Sequence, residues 1–163
     1  MIKSLIDYTL HLADDALIMG QRLSEWTGHG PVLEQDIAIT NLSLDYIGQA
    51  RNFYQYAAHL INSNIKLPAS LSFGEGQGEA SEDSLAYLRD AWDYKNHLLV
   101  EFPNGDWAQS VLKIFFFSNY QYLLYKQLQS CPNTQISAIA EKSLKEVTYH
   151  LKWSSEWVIR LGD

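Results

Sequence analysis

Cysteine is almost absent from this sequence, and no long hydrophobic run occurs in it. Cys131 is the only cysteine, so an internal disulfide is excluded, and no nearby histidine suggests a zinc site or an activated thiol there. The longest near-continuous apolar run, residues 111–117, is interrupted by Lys113 and is too short to cross a bilayer. Asp7 lies where a signal peptide would need apolar residues. We therefore expect a cytoplasmic protein that does not associate with membranes.

Positive charge is also scarce. Lysine and arginine number 12 against 19 aspartate and glutamate residues, which gives a net charge of -7. A surface of this sign repels phosphate groups, so we expect no nucleic-acid partner, and a basic protein surface is the more natural complement. Hydrophobic residues make up 47% of the chain, which is enough for a packed core. We predict one domain over residues 1–163.

Apolar residues recur at steps of three and four through most of the chain, which predicts an all-α protein. Five helices are predicted, with approximate bounds 3–27, 33–63, 82–101, 106–130 and 134–161. Residues 64–80 contain a proline and three glycines, which predicts a long crossover. These glycines fit no phosphate-binding loop. Three residues are predicted to cap the helices that follow them: Ser81, Asp106 and Thr134. Gln109 is expected to complete a capping box with Asp106. Two antiparallel helical hairpins joined by a long crossover, here with an extra helix, form the ferritin-like four-helix bundle.

The interior of such a bundle can hold two metal ions, and this sequence lacks the ligands for them. Di-iron bundles use a Glu from each of two helices and a Glu-x-x-His pair from each of the others, and no Glu-x-x-His occurs in this chain. The interior positions hold instead Leu17, Tyr46, Gln49, Asn119, Val147 and His150. Without bridging carboxylates, two divalent cations would carry uncompensated charge in the core. We predict no catalytic, cofactor-binding or metal-binding residue, and no stoichiometric iron, manganese or zinc.

Polar residues at these interior positions are interpreted as a buried network that satisfies itself through hydrogen bonds. His150 is expected to bond to Tyr46, Gln49 or Asn119. Two alternatives remain: a degenerate single-metal site through His150 with Glu146, and a surface cluster if the helix register is misplaced.

Other titratable residues are not expected to form sites. Four histidines are interpreted as isolated surface or capping residues: His11, His29, His59 and His97. The adjacent acids Asp14 and Asp15 are not expected to act as a catalytic pair, because neighbours on a helix diverge by about 100°. The same argument applies to the acids at 82–83.

Two helices carry more apolar surface than a lone bundle buries well. The second helix has Leu44 and Ile47 beside its main apolar seam, and the fourth contains the aromatic run 115–117, which points in three directions. We expect some of this surface to need a partner subunit. A homodimer and additional carboxy-terminal helices are the alternatives.

Four segments of the chain resemble the C-subunit family of phenylacetyl-CoA epoxidase. They are QRLSEW at 21–26 with Gly28-His29, LDYIGQARNF at 44–53, LVEFPNGD at 99–106 and KEVTYHL at 145–151. The resemblance extends over essentially the whole chain. Members of this family continue past the position of Asp163 with further helices, so the chain resembles an amino-terminal portion or a shortened member.

This resemblance implies a ferritin-like accessory subunit that is not itself catalytic. It implies pairing with a related A subunit, which holds the di-iron centre and the CoA ester. The complex would insert one oxygen atom of O₂ into the ring of phenylacetyl-CoA, with electrons from a separate reductase. The A-subunit ligands would lie opposite Tyr46, Gln49, Val147 and His150 here, and only His150 could serve as one. Two other function classes remain: an independent metal-dependent oxidase or oxygenase, and a free-standing helical binding module.

Overall fold

The computed structural model describes residues 2–64 and 79–162, and all regular structure in these residues is helical. Six α-helices follow one another along the chain: α1 (Ile2–Ser24), α2 (Leu33–Asn62), α3 (Glu82–Tyr87), α4 (Leu98–Glu101), α5 (Trp107–Leu128) and α6 (Thr134–Gly162). A short 3₁₀ turn, Ala91–Asp93, lies between α3 and α4. The all-α prediction is confirmed. Most of the predicted crossover falls on residues 65–78, outside the described ones. No helix in the described part of the chain has the length and apolarity needed to cross a membrane.

The four long helices form a ferritin-like bundle, as predicted. α1 pairs with α2 and α5 pairs with α6, and the two hairpins meet where α2 packs against α6. Gly20 lets α1 and α2 approach closely, because a Cβ atom there would lie 3.0 Å from Ile47 Cδ1. The hydroxyl of Ser43 donates a hydrogen bond of 2.7 Å to the Gly20 carbonyl at the same place.

A glycine turn closes the first hairpin. The first helix ends at Ser24, three residues before its predicted end. Gly28 has a φ of 88°, a left-handed conformation that favours glycine. The backbone N–H groups of Gly28 and Gly30 donate to Asp36 Oδ1 at 2.7 and 3.2 Å. The carboxylate of the second helix therefore fixes the turn that precedes it.

Two of the three predicted helix caps are confirmed. Ser81 and Asp106 each accept a hydrogen bond from the backbone N–H three residues ahead, at 3.1 and 2.8 Å. Only the Asp106 half of the capping box predicted with Gln109 is found in α5. The prediction for Thr134 is wrong, because this residue is already helical. Asn133 caps α6 instead, and its side-chain oxygen accepts from the N–H three residues on at 3.0 Å.

The predicted continuous helix at 82–101 is also wrong, since α3, a 3₁₀ turn and α4 occupy this stretch. The physical reason lies on α1. The backbone N–H of Lys95 donates to Asp14 Oδ2 at 2.8 Å, and that of His97 donates to Asp15 Oδ1 at 2.7 Å. These amides bind carboxylates of another helix in place of carbonyls one turn back, so the helix cannot continue through them.

Candidate functional site: the polar interior of the bundle

His150 lies on α6 and is 0% exposed, so its predicted place inside the bundle is confirmed. The predicted hydrogen-bond partners are wrong. Nε2 of His150 lies 2.9 Å from Oδ2 of Asp45 on α2, and the imidazole packs against the Tyr46 ring at a centroid distance of 4.8 Å. Asp45 is at the edge of the α2–α6 contact, with a side chain 38% exposed. It reaches the imidazole from the solvent side, while Tyr46 covers the ring from the interior.

The second ring nitrogen of His150 indicates its tautomer. Nδ1 is buried and has no hydrogen-bond partner in the described part of the chain. If the imidazole is neutral and donates from Nε2 to Asp45, the unpaired Nδ1 is only an acceptor. A protonated ring would bury an unpaired N–H donor, which is more costly. The geometry therefore favours the neutral form with its hydrogen on Nε2.

Tyr46 is buried between helices and bonds across the bundle. Its hydroxyl lies 3.3 Å from Ser118 Oγ on α5, and its ring packs against Phe117 at a centroid distance of 5.7 Å. Burial raises the pKa of the Tyr46 phenol, although the hydrogen bond to Ser118 acts in the opposite direction. The phenol is therefore neutral and links α2 to α5.

Gln49 connects three helices. Its amide nitrogen donates to Glu146 Oε2 at 2.9 Å, and its amide oxygen accepts from the Tyr125 hydroxyl at 3.3 Å. Gln121 then donates to the same hydroxyl at 3.2 Å. Burial raises the pKa of the Glu146 carboxyl, although the bond from Gln49 lowers it. Gln49, which is 1% exposed, therefore satisfies both ends of its amide within the protein.

Asn119 does not join this network, contrary to the prediction. It is only half-buried, and its amide donates at 2.8 Å to the Phe115 carbonyl of its own helix. Leu17 and Val147 are buried apolar residues, 6% and 0% exposed. Three of the predicted interior positions thus contribute no polar atom to the centre of the bundle.

A binuclear iron centre does not fit this interior. Tyr46, Gln49 and His150 are already hydrogen-bonded, and the nearby carboxylates Asp45 and Glu146 bind different partners. In the described part of the chain, the ligand atoms of Asp45, Glu146 and His150 do not all lie within 4.8 Å of one another. For the alternative of a single-metal site through His150 and Glu146, the structure shows the two side chains bound to different partners, Asp45 and Gln49.

Two comparisons with known proteins identify the family of this chain. The model of the family described as "Phenylacetic acid catabolic protein" matches residues 1–163. The chain belongs to this family. It is 41% identical over 162 residues to the C subunit of the 1,2-phenylacetyl-CoA epoxidase of Escherichia coli (strain K12), and the alignment covers 99% of this chain and 59% of that protein. The chain therefore spans less than two thirds of the relative's length. The resemblance noted in the sequence is confirmed.

In this chain, the interior histidine is expected to tolerate an apolar replacement. We predict that His150→Leu changes the free energy of unfolding by no more than about 1 kcal/mol, because the half-exposed Asp45 can be hydrated after it loses its partner. His150→Ala should lose at least about 2 kcal/mol, since it leaves a cavity. Urea unfolding measures both. A leucine variant as unstable as the alanine variant would contradict the prediction.

A second polar centre in this family member was missed by the sequence analysis. Asp14 and Asp15 on α1 are both buried, 0% and 2% exposed. Asp14 forms an ion pair with Arg89, whose side chain is 3% exposed, and accepts a hydrogen bond of 2.5 Å from the Tyr54 hydroxyl. Burial tends to lower the pKa of Arg89, but the bonds to Asp14 outweigh this and raise it. Asp14 thus anchors α2 and the segment after α3 to α1.

The expectation that His11 and His97 are isolated is wrong. His97 Nδ1 lies 2.7 Å from Asp15 Oδ2, and His11 Nε2 lies 3.6 Å from the same oxygen. His29 and His59 are exposed, as predicted. One signal was available in the sequence, because His11 and Asp15 are four residues apart and share a helix face. The third member, His97, is 82 residues from Asp15 and comes near only through the fold.

Proposed function

We propose that this chain is a non-catalytic accessory subunit of a phenylacetyl-CoA epoxidase in phenylacetate catabolism, which it serves by supporting a catalytic di-iron A subunit. One observation carries the proposal: the chain shares the bundle of its family, but its interior holds hydrogen-bonded Tyr46, Gln49 and His150 where metal ligands would be needed. The similar E. coli protein is named as the C subunit of the 1,2-phenylacetyl-CoA epoxidase. The reaction of the complex would be epoxidation of the aromatic ring at positions 1 and 2.

An exposed apolar stripe on α2 supports the existence of a protein partner. We define the α2 stripe as the exposed apolar side chains on one face of this helix: Leu33, Ile37, Leu44 and Ile47, with exposures of 70%, 52%, 64% and 36%. Their spacing of four, seven and three residues keeps them in line. Phe116 of α5 is also 56% exposed, while its neighbour Phe117 is buried.

Exposed apolar side chains that line up on one helix face favour an interface over free surface. We propose that the α2 stripe docks on the A subunit, with a homodimer as the alternative occupant. The net charge of -7 favours a basic surface around that contact. Cytoplasmic location, as expected from the sequence, is part of the same proposal.

The proposal is tested by reconstitution. Phenylacetyl-CoA oxidation is measured with the catalytic subunit and its reductase, with and without this chain, and the E. coli relative serves as the positive control. We expect this chain to raise the rate at least about ten-fold, equivalent to about 1.4 kcal/mol, and to co-elute with the catalytic subunit in size-exclusion chromatography. An unchanged rate with no complex, while the E. coli relative works, would show that the chain is not an accessory subunit.

Metal analysis tests the non-catalytic part separately. After iron-supplemented expression and dialysis, we expect no stoichiometric iron or manganese in this chain, because the interior offers no bridging carboxylate. Two equivalents of iron per chain, lost in a His150→Leu variant, would instead favour the independent oxidase.

A further inference from the structure

His11, Asp15 and His97 form a compact set of metal-ligand atoms outside the polar interior. Among the side chains that the structure describes, they are the only three of the His, Cys, Asp and Glu type whose ligand atoms all lie within 4.8 Å of one another. Ligands around a four-coordinate zinc ion, at about 2.0–2.1 Å from it, lie about 3.3 Å apart. The separations of 2.7 and 3.6 Å from Asp15 Oδ2 fall on either side of that value.

The groups around these atoms orient them as ligands. Nδ1 of His11 is hydrogen-bonded to the Lys95 carbonyl, and because a carbonyl only accepts, Nδ1 must carry the hydrogen. Nε2 of His11 then presents its lone pair towards Asp15 unless the ring is protonated. The other oxygen of Asp15 accepts the backbone N–H of His97 at 2.7 Å, so Oδ2, which lies 2.7 Å from His97 Nδ1, is the oxygen that would face an ion. Metal-bound histidines and carboxylates in proteins are held by such outer contacts.

The two buried acids differ in the groups that balance their charge. Asp14 is neutralised by Arg89, whereas the partners of Asp15 are two imidazoles. Burial raises the pKa of Asp15, although hydrogen bonds from His97 and the charges of both histidines lower it. A buried carboxylate needs a counter-charge. A bound cation can supply it.

We propose that His11 Nε2, Asp15 Oδ2 and His97 Nδ1 bind one zinc ion, which fastens α1 to the segment before α4. Two imidazoles with one carboxylate suit zinc better than magnesium or calcium, which prefer oxygen ligands. The His11 and His97 side chains are 27% and 43% exposed, so an ion can enter from solvent and keep a water as its fourth ligand. Binding moves the hydrogen of His97 from Nδ1 to Nε2. This site revises the sequence-based expectation of no zinc and does not depend on the proposed function.

Zinc titration of the metal-free chain by isothermal calorimetry tests the proposal. We expect one equivalent to bind, and a zinc concentration 100-fold above Kd to raise Tm by about 5–10 °C. His11→Gln and His97→Gln should each weaken binding at least about ten-fold. Both side chains are partly exposed, so these variants should fold, and circular dichroism verifies this. Cobalt should give the visible absorption of a tetrahedral site in the unchanged chain and lose it in both variants.

Two matched controls separate this site from others. His59→Gln removes an exposed histidine of α2 and should bind zinc as the unchanged chain does, and so should His150→Leu. No one-equivalent binding would overturn the proposal and leave a protonated histidine as the counter-ion of Asp15. Unchanged affinity in His11→Gln and His97→Gln would equally overturn it. Loss of zinc binding only in His150→Leu would place the metal in the interior and would also refute the site proposed here.

Discussion

Replacing Asp14 with alanine is expected to lower the free energy of unfolding by about 3–5 kcal/mol. The carboxylate is fully buried and pairs with the guanidinium of Arg89, which is itself 3% exposed. It also accepts hydrogen bonds from the Tyr54 hydroxyl and the Lys95 backbone N–H. Removing it leaves a buried cation and two donors, the Tyr54 hydroxyl and the Lys95 N–H, without their partner, and breaking such a pair costs about 3–5 kcal/mol. Urea unfolding of the purified chain, followed by circular dichroism, measures the loss.

An exposed ion pair provides the matched control. Arg51 Nε lies 3.0 Å from Glu82 Oε1, but the Arg51 side chain is 67% exposed, so Arg51→Ala should cost no more than about 1 kcal/mol. Asp14→Leu combined with Arg89→Met should be more stable than Asp14→Ala, because no charge is left buried alone. A loss below about 1 kcal/mol in Asp14→Ala would show that the buried pair does not hold α1 in place.

Introducing charge into the α2 stripe is expected to abolish assembly with the catalytic subunit. We predict that the double variant Ile37→Lys and Leu44→Lys binds at least about 100-fold more weakly, equivalent to about 2.8 kcal/mol, because apolar anchors at the centre of an interface carry much of its energy. Both side chains are more than half exposed in this chain, so its own stability should change little. Affinity is measured by surface plasmon resonance against the purified catalytic subunit, and folding by circular dichroism.

The control carries the same change on a different surface. Leu88 and Leu98 are each 73% exposed and lie outside α2, and the variant with lysine at both positions should bind as the unchanged chain does. Equal losses in both variants would mean that general charge effects, not the α2 stripe, govern binding. Full binding by the α2 variant would place the interface elsewhere. If neither the unchanged chain nor the variants bind the catalytic subunit, but the unchanged chain dimerises through α2, the homodimer replaces the proposed complex with the catalytic subunit.

Local patterns correctly predicted most helices but missed the break at 82–101. Apolar spacing found the long helices because a single buried face repeats every three to four residues, and Ser81 and Asp106 marked helix starts through their own side chains. The break had no local signal. It depends on the amides of Lys95 and His97, which bind carboxylates of α1 about 80 residues away in sequence.

The hydrogen-bond partners of the interior side chains also could not be predicted from the sequence. Placing His150 inside the bundle needed only its position on the apolar stripe of α6, and that prediction is confirmed. Its partner could not be chosen, because Asp45 and Tyr46 are adjacent on α2 and only the rotation of α2 against α6 decides which one meets the imidazole. The same rotation leaves Asn119 bonded within its own helix.

The sequence by itself determined that this protein is helical, belongs to a family of bundles and contains no Glu-x-x-His motif, because these properties depend on periodicity and residue identity. The tertiary structure decided which polar groups meet. Asp14 with Arg89, and Asp15 with His11 and His97, form only when α1 docks against a segment far along the chain. Such contacts depend on the packing of helices against one another, which no short stretch of sequence encodes.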